Sequence, residues 1–266
     1  MKLSERQVQE FRDEGYIFVP DLIPSDQMKV VREELPALLA HEGRERLFEP
    51  DGRTVRSILN AHLFDDALDR LARHPRLIEP AMQLAGGPVY IFQTIVNVKR
   101  AFDGQQWQWH QDYPTYRIDD KMPAPRGVNA MVFLDEVSEF NGPLMLVPGS
   151  QALETEAPAF TADAEYPGRY AAQSWIQDIM RTHGIRAPKG AAGSVIFMHL
   201  NIVHGSGPNM SPWHRAILSL TLSSVENKAT GTRRGFVVCH DYTAVAPLAD
   251  DCLLHSERTR AEPAPA

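Results

Sequence analysis

VYIFQTIVNVKR, residues 89–100, is the stretch at which the chain changes texture. β-Branched and aromatic residues fill it, and Gly and Pro before it with Asp and Gly after it mark the limits of a strand. Four runs of the same kind follow: GVNAMVFLDEV (127–137), PLMLVPGS (143–150), GSVIFMH (193–199) and AILSLTLSSV (216–225). Upstream the periodicity is helical. Ser4 followed by Gln7 forms a capping box, Val8 and Phe11 supply an apolar stripe, and Gly15 is placed to end the helix. A second helix is expected from Ser25, where Met28, Val31, Leu35 and Leu38 recur at spacings of three and four, with Pro36 bending or splitting it. A third helical stretch runs from about Asp65 to Ala85, interrupted near His74 and Pro75. Helices first and strands afterwards predict a mainly β fold with flanking α-helices: a helical layer over about 1–87, a β core over about 88–240 and a short tail.

A length of 266 residues suits one sheet-rich domain. Hydrophobic content of 43% with 23% charged residues is ordinary globular composition, and no stretch reaches the roughly 18 apolar residues of a membrane span. The start, MKLSERQVQEF, has no apolar core of the secretory kind, so a cytoplasmic location is expected. Cys239 and Cys252 read as free thiols. A net charge of −7 with scattered basic residues argues against a nucleic-acid surface. No repeat is visible, and the ending AEPAPA reads as a disordered tail.

The chemistry concentrates in QWHQDYPTY (108–116). In an extended segment His110 and Asp112 leave the same face and can reach one ion. NIVHGSGPN (201–209) offers a third donor, His204, after a strand-like run. Two imidazoles and a carboxylate on one side of an ion suit non-haem Fe(II) and leave positions open, although zinc accepts the same donors. Arg215 stands eleven positions after His204 with the turn-forming GPNMSPWH between them. In an antiparallel hairpin the two would stand opposite each other, about 5 Å apart, placing a guanidinium beside the metal to grip a dicarboxylate such as 2-oxoglutarate.

QWHQD, FNGPLMLVPGS (140–150) and HGSGPNMSPWHR (204–215) together resemble the phytanoyl-CoA dioxygenase-like family of Fe(II)/2-oxoglutarate oxygenases, over about Leu3 to Asn227. The resemblance implies a double-stranded β-helix, the cupin-like jelly roll, with His110, Asp112 and His204 as iron ligands and Arg215 clamping 2-oxoglutarate. Asn97 and Ser206 fall where the family places an amide and a hydroxyl against the cosubstrate. Because halogenating relatives lack the carboxylate, Asp112 implies hydroxylation, with O2 and 2-oxoglutarate consumed and succinate and CO2 released. The substrate is expected to be a small zwitterion.

YPTYRIDDKMP, following the HxD aspartate, departs from the corresponding segment of ectoine hydroxylases, whereas WHQD, APRGVN and FNGP are similar to hydroxylases of free L-amino acids in natural-product biosynthesis. Gln93, Tyr113 and Tyr116 are the candidate substrate contacts. Ectoine, a carrier-bound substrate, or a non-catalytic jelly-roll sensor are the competing readings. Trp107 and Trp109 are expected on one buried strand face, Asp119 and Asp120 in an exposed loop, and His199 and His214 in structural or solvent-facing positions. His240 and Asp241 should diverge to opposite faces, and residues from about 153 to 186 are a candidate lid.

Overall fold

Ser4 caps the first helix as expected: its hydroxyl accepts from the Gln7 amide, the Gln7 side chain accepts from the Ser4 amide, and Gly15 ends the helix in the left-handed region. In the computed structural model, which describes residues 1–153, 160–161 and 168–255, the elements follow in chain order. They are α1 (Glu5–Glu14), β1 (Tyr16–Val19), α2 (Ser25–Ala40), β2 (Arg46–Phe48), β3 (Val55–Leu59), α3 (Asp66–Ala72) and α4 (Pro75–Ala85). Then come β4 (Val89–Lys99), β5 (Trp107–His110), α5 (Asp112–Asp119), β6 (Gly127–Phe133) and β7 (Leu144–Leu146). The remainder are β8 (Phe160–Thr161), β9 (Gly168–Arg169), α6 (Gln173–His183), β10 (Val195–His199), β11 (His204–Ser206) and β12 (Arg215–Ser224). The AEPAPA ending lies outside the described residues, as does much of the candidate lid; within that stretch Gln173–His183 is helical.

Seven strands form the large sheet in the order β1-β10-β6-β12-β4-β3-β2, and β5-β11-β7 form a small sheet facing it. All these pairings are antiparallel. Alternation along β12 sorts the interior. Ala216, Leu218, Leu220 and Leu222 pack with the helices' Met28, Val31, Leu35 and Ile78, while Ile217 turns inward with Leu144, Leu146 and Met131.

The region 1–87 is not a purely helical layer, because β1, β2 and β3 lie within it and complete both edges of the large sheet. Edge strands of three to five residues are too short to show a period. Pro36 does not split α2: the helix runs from Ser25 to Ala40, and both Pro36 and Arg32, whose carbonyl it cannot partner, lie on its exposed side. The strand expected over 143–150 is only Leu144–Leu146.

His204 and Arg215 are not hairpin partners either. β11 pairs with β5 and β7 in the small sheet, whereas β12 pairs with β4 and β6 in the large one, so residues 207–214 cross between sheets. The crossing is held by buried Asn209, whose amide donates to the carbonyls of Lys99, Arg100 and Trp213 and whose oxygen accepts from the Ser211 amide and hydroxyl. Replacing Asn209 by Ala strands these buried groups, and the expected loss is about 2–4 kcal/mol of stability, measurable as a lower urea midpoint with an unchanged slope.

Candidate functional site

A β-bulge in β5 organises the site. His204 pairs with His110, but Ser206 pairs with Trp107, so two residues of β5 oppose Gly205 alone. The extra residue brings Trp107 and His110 to the same inner face, opposite His204 and Ser206, while Trp109 packs away among Val147, Ile176 and Val203. Trp107 and Trp109 therefore do not share one buried face. β5 ends at His110 and α5 begins at Asp112, so the carboxylate is presented by the first turn of a helix, where the dipole favours negative charge.

The ligating atoms of His110, Asp112 and His204 lie within 4.8 Å of one another. Asp112 Oδ1 is 3.6 Å from His110 Nε2 and 3.8 Å from His204 Nε2. Each imidazole has its Nδ1 against a backbone carbonyl, Gln108 at 2.7 Å and Ile202 at 3.0 Å, which fixes the tautomer with Nε2 as the free donor atom. Asn129 donates to Asp112 Oδ2 at 3.3 Å and is itself oriented by the Ser219 hydroxyl at 3.0 Å, so Oδ1 is the oxygen left for an ion. Bonds of about 2.1 Å would need these atoms to close to roughly 3 Å, a small adjustment for exposed lone pairs already converging.

Asp112 and His204 are already in the form a ligand needs, and the proton that Asp112 holds on His110 would leave when an ion binds. Burial raises the Asp112 carboxyl, but the charges of His204 and His110 and the hydrogen bond from His110 prevail and hold it at about 2. Burial, with repulsion from His110, lowers His204 to about 4, so it is a neutral imidazole. Burial also works against charge on His110, yet the hydrogen bond and charge of Asp112 outweigh it and raise its pKa.

These donors open into a cavity of about 350 Å³. Arg215, Ile217 and Ser219 of β12 and Gln93, Ile95 and Asn97 of β4 line it along one face, with Arg215 at one end and Gln93 at the other. Arg215 is 3% exposed; one of its terminal nitrogens donates to the Gly142 carbonyl, and its buried Nε has no hydrogen-bond partner. Burial lowers its pKa to about 9, which leaves it cationic at neutral pH. A buried guanidinium with an orphan donor, walled by Ile217, Leu144 and Met131, fits the far carboxylate of a bound dicarboxylate. Ser206 lines the same end, and the Asn97 amide oxygen accepts from the Ser57 hydroxyl at 2.8 Å.

The FNGPLMLVPGS segment buttresses both halves. Gly142 orients Arg215, while the buried Ser150 hydroxyl accepts from the Val203 amide and donates to the Val147 carbonyl, fixing the backbone beside His204. Gln111 ties the HxD turn to the same place by donating to the Asn201 carbonyl at 2.6 Å.

At the other end Gln93 donates to the Tyr116 hydroxyl and accepts from Arg234, both at 3.0 Å, and Tyr116 is buried. Tyr113 is not in the cavity. Helical spacing puts Asp112, Thr115 and Tyr116 on the inner face and turns Tyr113 outward, where its hydroxyl donates to the Pro123 carbonyl. Asp119 and Asp120 are not an exposed loop: both are buried, Asp119 pairing with Arg169 and Arg233 and Asp120 with Arg234. Burial pushes Asp120 up to about 6 against the attraction of Arg234. Sequence reading missed Asn129, Arg169, Tyr170 and Arg234 as cavity residues, since none sits in a recognisable spacing. Both cysteines are free, and His240 and Asp241 are exposed. His199 is partly buried and accepts from the Asn201 amide, as a structural histidine would.

No helix among the described residues is long and apolar enough to cross a membrane. The family model for phytanoyl-CoA dioxygenase (PhyH) matches residues 11–217. The chain is 34% identical over 255 residues to the ectoine dioxygenase of Halomonas elongata, covering 90% of this chain and 77% of that protein. It is 33% identical over 268 residues to the L-proline trans-4-hydroxylase of Streptomyces griseoviridis, covering 94% and 98%. Among solved structures, EctD from S. alaskensis with 2-oxoglutarate and 5-hydroxyectoine superposes with a TM-score of 0.78 at 32% identity, over 85% of this chain and 78% of that one. EctD with bound Fe gives 0.81 at 29% identity, over 93% and 87%. The two facing sheets are thus the jelly roll of these enzymes, and a catalytic protein replaces the sensor alternative. The chain belongs to the PhyH family and is an Fe(II)- and 2-oxoglutarate-dependent dioxygenase, a hydroxylase of a small molecule.

Proposed function

We propose that this enzyme hydroxylates a free L-amino acid, with Fe(II) held by His110, Asp112 and His204, 2-oxoglutarate by Arg215, Asn97 and Ser206, and the substrate oriented by Gln93 and Tyr116. The observation that carries the reading is the cavity, which has a buried guanidinium with an unpartnered Nε at one end, the three donors beside it and a polar pocket at the other end. At about 350 Å³ it is near the lower limit for small-molecule sites, which suits two small acids and excludes a bulky substrate lying wholly inside. Near-complete mutual coverage with the L-proline hydroxylase supports an amino acid. Ectoine is the second reading, favoured by the identity to ectoine dioxygenases.

Iron bound with 2-oxoglutarate and O2 supplies the oxidising chemistry, coupling decarboxylation of the cosubstrate to hydroxylation of a C–H bond. The chain does the holding. Three donors on one side leave the other coordination positions to the reactants. Asn129 keeps Asp112 to a single free oxygen, and Arg215 grips the distal carboxylate so that the 2-oxo acid end reaches the donors. Ile95, Met131, Leu144 and Ile217 exclude water around it. Burial keeps the Tyr116 phenol protonated, and Gln93 locks both it and Arg234 in place, so the polar end is preorganised for a zwitterion.

Succinate release from 2-oxoglutarate, measured with Fe(II) and a panel of L-amino acids and ectoine, is expected to rise with one amino acid more than with ectoine; the reverse order establishes the second reading. Asp112→Ala should weaken metal binding more than about 100-fold and abolish hydroxylation, since losing a ligand exceeds the usual 10–100-fold cost of losing its support. Mn(II) titration and product analysis check this, and near-normal product formation would refute the ligand assignment. Arg215→Ala should raise the KM for 2-oxoglutarate roughly 10- to 150-fold, the equivalent of about 1.5–3 kcal/mol for a lost charge-assisted bond. Steady-state kinetics showing an unchanged KM would remove Arg215 from the cosubstrate site.

A further inference from the structure

Lys99 is the cross-strand partner of Arg215 and is 1% exposed, without lining the cavity. Its ammonium donates to the Gln105 carbonyl at 2.6 Å and the Gly207 carbonyl at 2.5 Å. Gln105 precedes β5 and Gly207 follows Ser206, so one side chain from the large sheet fastens the ends of β5 and β11, two neighbouring strands of the small sheet. Its stem lies against Gly142. That residue has φ +73°, and a Cβ there would stand 2.9 Å from Lys99 Cδ and 2.6 Å from the Gly207 oxygen, so only glycine fits. Gly142 in turn accepts from Arg215. Lys99, Gly207, Gly142 and Arg215 thus form one packed unit behind the dicarboxylate end of the cavity.

We propose that Lys99 is a positioning residue for the distal carboxylate of 2-oxoglutarate, acting through Arg215 and Ser206. It pins the Gly207 backbone and fixes the Gly142 carbonyl that aims the guanidinium. Hydroxylase chemistry at the iron does not by itself call for a lysine here; a lone buried ammonium is costly unless an anion offsets it. Burial first, and then repulsion from Arg215 and Arg56, lower its pKa to about 6, with Glu49 opposing. Asp135 is the carboxylate that acts on Arg215 from its other side. At about 6 the lysine is largely neutral at neutral pH, and a dicarboxylate held at Arg215 favours its protonated, fully donating form. The proposal rests on the assignment of Arg215 as the clamp.

Isothermal titration calorimetry on the Mn(II)-loaded protein, which binds without turnover, distinguishes the two. The probes are 2-oxoglutarate and 2-oxobutyrate, which shares the 2-oxo acid end and lacks the distal carboxylate. Lys99→Met and Lys99→Gln should each weaken 2-oxoglutarate at least about ten-fold and leave 2-oxobutyrate within about three-fold, because only the distal charge-assisted contact is lost. A structural role alone would weaken both probes alike, and that result, or an unchanged preference in either folded variant, overturns the proposal. Lys99→Gln keeps a donor for the Gly207 carbonyl and carries the comparison where the Met variant does not fold. Arg215→Leu runs in parallel: if it leaves the preference for 2-oxoglutarate intact, the clamp assignment itself fails; if it abolishes the preference and both Lys99 variants do not, only the role of Lys99 is lost.

Discussion

The pairing of His110 with His204 across β5 and β11 is the constraint on which the rest of the structure depends. A register between β5 and β11 off by one residue would send the two imidazoles to opposite faces and leave Asp112 with one of them at most. The bulge opposite Gly205 prevents that slip, because only one alignment accommodates the extra residue. Gly205 also lets the strands approach: a Cβ there would meet the Trp107 carbonyl and the Trp109 ring at 3.1 Å. The backbone on either side is then secured by side chains, Gln111 to Asn201 and Ser150 to Val203, so the positions of the donors are set before any ion arrives. Preorganisation of this kind spares binding the cost of ordering the ligands.

The same architecture buries a guanidinium and a lysine at the far end of the cavity. Arg215 and Lys99 are nearly inaccessible to water, and the Arg215 Nε has no partner. Such an arrangement costs stability in the absence of an anion and is offset when one binds, which is the ordinary relation between a strained site and its ligand. The opposite end of the cavity is balanced differently. There Asp119 and Asp120 already neutralise Arg169 and Arg234, so the polar surface at that end is a set of paired charges.

What the sequence disclosed follows from how local each feature is. The caps of α1, the break at His74–Pro75 and the long strands β4 and β12 were legible because their signals lie within a dozen residues. The short edge strands β1 to β3 carry no period and took their place through pairing with residues far along the chain. His110, Asp112, His204 and Arg215 were found from residue type and spacing, although the reasons offered for two of the relations were wrong. Asp112 reaches the cavity from a helix instead of a strand, and Arg215 reaches it from the other sheet instead of a hairpin. Asn129 and Arg234 carry no spacing signal at all; burial and hydrogen bonding to Asp112 and Gln93 identify them.

The division of the cavity also accounts for similarity to enzymes named for different substrates. The donors and Arg215 are carried by β5, β11 and β12, strands of two sheets whose registers constrain one another, so few residues there can change without disturbing the others. Tyr116, Arg169 and Arg234 come from α5, β9 and the segment after β12, which meet through the two aspartates at the end of α5 and a backbone hydrogen bond from the Gly231 amide to the Asp120 carbonyl. Substitution in those elements alters the polar pocket while the bulge, the buttressing Ser150, Arg215 and Lys99 stay in place. A single scaffold can therefore keep its oxidative chemistry while α5, β9 and the segment after β12 remain free to reshape the far end of the cavity.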